Sequence, residues 1–156
     1  MNRFNFLATG IAISLLATPP SILAQNRPEP LEPAYTVGLD LPFSEGVRVG
    51  DVLYLSGVIG IKPGTMTLVP GGLEAEAQQV FDNLGAVLKG AGAAPSDVVK
   101  CTVMLNDIRQ WSKFNEFYTA FFKQHRPARS ALGVAGLALG AAVELECIAV
   151  APRKSR

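Results

Sequence analysis

The chain has 156 residues, 14 of them Lys or Arg and 13 Asp or Glu, for a formal net charge of +1. That balance offers neither the basic footprint of a nucleic-acid binder nor the cationic face of a membrane-surface helix. A small molecule or another copy of the chain is the partner such a composition favours.

Residues 1–24 have the layout of a secretory signal: Arg3, an apolar run from Phe6 to Ala17, the turn Thr18-Pro19-Pro20, and Ala24 at a cleavage edge. The run is short for a bilayer span, although an uncleaved anchor or a buried helix are the competing readings. Ile22 is larger than the residue usual at the third position before a cut. A cleaved signal makes the mature protein periplasmic or secreted and free of the membrane. About 130 residues remain, the size of one ordinary domain. Residues 25–40 are expected to be a linker and N-terminal segment, beginning with the polar, proline-rich QNRPEPLEPAY. The domain is expected over 41–152 and a short tail over 153–156.

Residues 46–60 read as a hairpin, with Val47 and Val49 before a Gly50-Asp51 turn and Val52, Leu53, Tyr54 and Leu55 after it. A loop punctuated by Pro63-Gly64 and Pro70-Gly71 follows. Over 72–91, Leu73, Ala77, Val80, Phe81, Leu84, Val87, Leu88 and Ala91 recur at three- and four-residue steps, one stripe of an amphipathic helix stopped by Gly90 and Gly92. Pro95-Ser96-Asp97 then turns into a strand, with Val99, Cys101, Val103 and Leu105 on one face and Lys100, Thr102 and Met104 on the other.

Asn106-Asp107 can cap a second helix running to about Lys123, with Trp111, Phe114, Tyr118, Phe121 and Phe122 as a core stripe. Asn115 lies beside that stripe, and a polar group there reads as a structural clamp on a loop rather than a catalyst. Two strands end the chain. In 128–135, Ser130, Leu132 and Val134 oppose Arg129, Ala131, Gly133 and Ala135; in 143–150, Val143, Leu145, Cys147 and Ala149 alternate with Glu144, Glu146, Ile148 and Val150. The order β-β-α-β-α-β-β predicts an α+β domain, two helices on one face of a mostly antiparallel mixed sheet.

Cys101 and Cys147 both fall on the buried faces of strands; two buried thiols and a cross-strand disulfide are both open, because sequence does not give inter-strand geometry. The single histidine, His125, has no partner at ligand spacing, so no metal site is expected. If the helices cover the Leu132 and Leu145 faces, Arg129 and Glu144 share the opposite face. An arginine above the small Ala131, Gly133 and Ala135, with a carboxylate on a neighbouring strand, makes an anion pocket, a structural ion pair, or simply two charges on a wet sheet face.

The runs Pro127-Ala128-Arg129-Ser130 and Val143-Glu144-Leu145-Glu146-Cys147-Ile148-Ala149-Val150 are joined by Ser56-Gly57, Asp82-Asn83, Val98-Val99-Lys100-Cys101-Thr102-Val103 and Phe114-Asn115-Glu116. In this order and spacing they resemble the RidA (YjgF) family, from about Leu41 to Val150. The resemblance implies a homotrimer with pockets at the subunit interfaces, and hydrolysis of reactive 2-imino acids to 2-oxo acids and ammonia. It implies no metal or organic cofactor. Arg129 matches the residue that holds the substrate carboxylate, Glu144 the acid/base, and Ser56 with Gly57 the turn beside them.

Three positions depart from the family pattern. Phe43 stands where tyrosine is usual, removing a hydroxyl from the pocket; Ala131 stands where cysteine is frequent; and Leu137-Ala138-Leu139-Gly140 replaces a Leu-Pro-Lys turn at the rim. A non-catalytic trimer that binds small carboxylates or protects other proteins is the alternative function, and RNA cleavage a third that the near-neutral charge disfavours.

Overall fold

Gly50 can take the positive φ (60°) that a two-residue turn demands, and it joins β2 (Gly46–Val49) to β3 (Val52–Leu55) as the sequence predicts. The computed structural model describes residues 27–152. The expected signal segment 1–24 and the tail 153–156 lie outside the described residues. Among the described residues no helix is long and apolar enough to cross a membrane.

Part of the expected linker joins the sheet. Glu29–Pro30 forms β1 against Arg48 and Val47 of β2, and Tyr35 is buried. After β3 come β4 (Val58–Ile59), α1 (Gly72–Gly90), β5 (Val98–Leu105), α2 (Trp111–Phe122), β6 (Ala128–Gly133) and β7 (Val143–Val150). The sheet runs β1-β2-β3-β7-β5-β6, with β4 also paired to β7. Every pairing is antiparallel except β5 with β6, which α2 connects as a crossover.

Both helices cover one sheet face. The α1 stripe of Leu73, Ala77, Val80, Phe81, Leu84, Val87 and Leu88 is buried, each large side chain contributing roughly 1.5–3 kcal/mol. Phe81 stacks on Phe114 of α2 at 5.7 Å and on Phe121 at 4.9 Å. From below, Leu53, Val103, Leu105, Val143, Leu145 and Ala149 close the core.

Several local expectations change. Asp107 caps a 3-10 turn, Ile108–Gln110, by accepting from Arg109 N, and α2 starts only at Trp111. Trp111 is 42% exposed and is not core. A register shift between Val98 and Lys100 buries Val98 and turns Val99 outward. Strand β6 is reversed relative to its expected facing. Arg129 pairs with Cys101 and Ala131 with Val103, so both lie on the helix side, whereas Leu132 pairs with Met104 on the uncovered face and is 49% exposed.

Cys101 and Cys147 are register partners on β5 and β7 and form a disulfide, with Cα atoms 4.1 Å apart. The bridge ties the strand that carries Glu144 to the strand beside Arg129.

Candidate active site

Glu144 occupies the second position of β7, between Ile59 of β4 and Met104 of β5, on the face the helices leave open. Its carboxylate lies directly over Gly57: a Cβ built at that glycine would overlap the carboxyl group. Glycine at 57 leaves room for the close approach of this side chain, and its own backbone angle does not call for glycine. Burial first, and then the negative charge of neighbouring Glu146, raise the Glu144 carboxyl above the usual carboxylate value.

Two buried polar residues hold the backbone around this carboxylate. Asn83 of α1 donates from Nδ2 to the carbonyls of Ile59 (3.2 Å) and Ile61 (3.0 Å), fixing β4 and its exit. Glu76, two turns earlier on α1 and also buried, accepts from Ala142 N at 2.8 Å just before β7 begins. The helix comes this close because Gly60 has no side chain; a Cβ there would lie 2.7 Å from the Glu76 Cα.

Glu144 opens into a cavity of about 740 Å³. Its polar lining is Tyr35, Thr36, Tyr54, Ser56, Glu144 and Glu146; its apolar walls include Leu41, Phe43, Ile59, Ile61, Met66 and Leu139. Ser56 donates from Oγ to Ser44 O at 2.7 Å, anchoring the turn that carries Phe43. Phe43 is 56% exposed at the rim. Ala138 and Leu139 of the substituted turn also line the cavity, as their place in the sequence suggested.

Sequence reasoning missed the opposite wall. Glu45 is buried, and its carboxylate accepts from Ala34 N (2.9 Å), Tyr35 N (2.9 Å), Thr36 N (2.7 Å) and Thr36 Oγ1 (2.7 Å). Four donors on one carboxylate pin residues 34–36 against the cavity. The Tyr35 hydroxyl is pushed up to about 12, by burial and then by the charges of Glu45 and Glu144. The one sequence signal for this wall is that Tyr35 is the only aromatic residue between Gln25 and Pro42.

The sequence-predicted site residues thus divide. Phe43, Ser56, Gly57 and Glu144 come together; Arg129, Ala131 and Asn115 lie on the far side of the same sheet. Arg129 donates from Nη1 to Asn115 Oδ1 at 2.8 Å, and its guanidinium lies 4.6 Å from the Tyr118 ring and 5.5 Å from the Trp111 ring. Asn115 is thus a clamp, on a side chain rather than a loop. Beside them the Tyr118 hydroxyl is buried with no hydrogen-bond partner among the described residues. Within one chain Arg129 and Glu144 form neither a shared pocket nor an ion pair, because the β5–β6 register sets them on opposite faces. Among the described residues no cluster of His, Cys, Asp and Glu has the form of a metal site.

This architecture and sequence have relatives. Residues 38–151 match the family described as Endoribonuclease L-PSP. The chain belongs to this RidA/YjgF family. A Mus musculus protein named 2-iminobutanoate/2-iminopropanoate deaminase is 45% identical over 109 residues, which are 70% of this chain and 81% of the mouse protein. Among solved structures, RidA from an Antarctic Psychrobacter bacterium aligns with a TM-score of 0.73 at 36% identity, covering 78% of this chain and 98% of its own. Escherichia coli TdcF, solved with bound serine, aligns with a TM-score of 0.72 at 31% identity, covering 81% of this chain and 99% of its own. The RidA fold, a mixed sheet with two helices on one face, is the fold of this chain.

Proposed function

We propose that the protein is an exported, cofactor-free hydrolase that deaminates reactive 2-imino acids to 2-oxo acids and ammonia. The observation that carries this reading is the half-buried Glu144 carboxyl, raised toward neutrality and facing a small-molecule cavity over Gly57. The name carried by the mouse relative, and the amino acid bound in the Escherichia coli relative, support the same class of substrate.

The chemistry asks little of the protein. Water adds to the C=N carbon, and the resulting carbinolamine expels ammonia to leave the 2-oxo acid. Glu144 takes a proton from the attacking water and returns one to the departing nitrogen. A carboxyl raised toward the working pH suits both transfers. The apolar walls hold the imine side chain.

A planar clamp for the substrate carboxylate is still required, and Arg129 has the geometry for it. It cannot reach the cavity of its own chain through the sheet. We place it in the cavity of a neighbouring copy, in a homotrimer whose sheets face one another. Two features support this assembly. Arg129 stands on β6, the edge strand, with its guanidinium held ready by Asn115 and two rings. Tyr54, Leu132 and Val150 are large apolar side chains left exposed on the uncovered face. Export rests on the signal-like layout of residues 1–24.

Turnover of 2-iminobutanoate, generated in situ and competed against semicarbazide trapping, tests the activity. Faster appearance of 2-oxobutanoate with mature protein, lost in Glu144→Gln, is the expected result. A folded protein that gives no acceleration would remove the deaminase reading and leave ligand binding as the role.

A further inference from the structure

The cavity carries four side-chain hydroxyls, and two of them are engaged. Thr36 Oγ1 donates to Glu45 and Ser56 Oγ donates to the Ser44 carbonyl. Tyr54 is 51% exposed at the mouth. Tyr35 is different: it is 5% exposed and lines the cavity, and among the described residues its hydroxyl has no hydrogen-bond partner. Its backbone is clamped at both ends, with N–H given to Glu45 Oε1 at 2.9 Å and the carbonyl accepting from Gly64 N at 2.8 Å. A rigidly held phenol whose hydroxyl has no partner among the described residues, lining the same cavity as the Glu144 carboxylate, is placed to meet something that is not protein.

We propose that Tyr35 is the water-positioning residue of the site, donating its hydroxyl proton to the oxygen that attacks the imine while Glu144 accepts a proton from that same water. The inference rests on the deaminase reading for the identity of the reaction. The hydrogen bonds balance: the water gives one hydrogen to Glu144, takes one from Tyr35 on a lone pair, and attacks with the other lone pair. The oxygen so delivered becomes the carbonyl oxygen of the 2-oxo acid, so Tyr35 faces the product's oxo group as well. Its hydroxyl, raised to about 12, stays a neutral donor throughout the working range, and the nearby Glu144 charge reinforces that state.

The test is Tyr35→Phe, which keeps the buried ring and removes only a hydroxyl that bonds no protein group. Turnover of 2-iminobutanoate, binding of 2-oxobutanoate by calorimetry, and Tm are read together. The expected result is a kcat reduced roughly tenfold to hundredfold with KM changed far less, 2-oxobutanoate bound roughly five- to tenfold more weakly, and an unchanged Tm. The acidic limb of the pH profile, which belongs to Glu144, should stay in place. An active wild type with full kcat in Tyr35→Phe overturns the proposal. So does a loss of kcat matched by a fall in Tm. An inactive wild type whose binding of 2-oxobutanoate still depends on the hydroxyl would sink the deaminase reading but keep Tyr35 as the donor to the oxo oxygen. An inactive wild type in which the substitution changes nothing, or which binds no 2-oxobutanoate, sinks both.

Discussion

Adding one methyl group at Gly57 and at Gly60 should separate function from stability in two neighbouring residues. Neither glycine has a positive φ, so alanine suits both backbones and by itself stabilises slightly, by about 0.4–1 kcal/mol through the unfolded chain. At Gly57 the new methyl meets the Glu144 carboxyl group, the far end of a flexible side chain that can rotate away. Stability should therefore stay within about 1 kcal/mol of wild type. At Gly60 the methyl meets α1 backbone, 2.7 Å from the Cα and 2.9 Å from the carbonyl oxygen of Glu76, and no rotamer relieves it. That overpacking should cost about 1–3 kcal/mol, a fall of roughly 3–5 °C in Tm for each kcal/mol in a domain of about 130 residues. Activity should follow the opposite order. Gly57→Ala moves the proposed proton-transfer group and should lose roughly 10²- to 10⁴-fold in kcat/KM, while folded Gly60→Ala retains most of it. Thermal melts and 2-iminobutanoate turnover on both variants decide the matter. Full activity in Gly57→Ala would refute the assignment of Glu144, and a wild-type Tm in Gly60→Ala would refute the tight packing of α1 on β4.

Glu144→Gln should be more stable than wild type at neutral pH while losing turnover. The raised Glu144 carboxyl contributes stability that is complete below the ordinary glutamate range and is lost as pH rises through its folded value, so the Tm difference should vanish in melts below about pH 4. Equal melting at every pH would show that burial does not penalise this carboxylate. Removing the Cys101–Cys147 bridge, which spans a sequence separation of 46, should cost up to about 4 kcal/mol by loop entropy. Denaturant melts with and without reductant, checked by thiol alkylation, will measure it; identical melts after full reduction would refute the contribution. Glu45→Ala deprives three backbone donors of a charged acceptor and should cost roughly 2–4 kcal/mol by urea unfolding. A change under about 0.5 kcal/mol would mean that residues 34–36 are held by something else.

The parts of the fold that were legible share one property: large apolar residues at a clean period. The α1 stripe and the β7 alternation of Val143, Leu145, Cys147 and Ala149 left little freedom, and Glu144 was placed correctly on the open face because its neighbours fixed the phase. Strand β6 had no such anchor. Its small residues Ala131 and Gly133 fit either face, and the outcome is set by pairing with Cys101 and Val103 rather than by its own pattern. The Val98 bulge that turns Val99 outward was equally silent. Tyr35 and Glu45 were hidden for another reason. A proline-rich polar segment reads as linker, and a lone buried carboxylate is recognisable only once its four donors surround it. The family resemblance singled out Arg129, yet could not say from the sequence that it and Glu144 lie on opposite faces of one chain.

Active-site complementation tests the proposed shared site most directly. Arg129→Ala and Glu144→Gln chains should each be inactive on 2-iminobutanoate when expressed alone. In co-expressed mixed trimers, with one group supplied by each of two adjacent copies, about one site in four regains both. Recovery of roughly a quarter of wild-type turnover is therefore expected. An active wild type with no recovery in the mixture would contradict a site built from two copies of this chain.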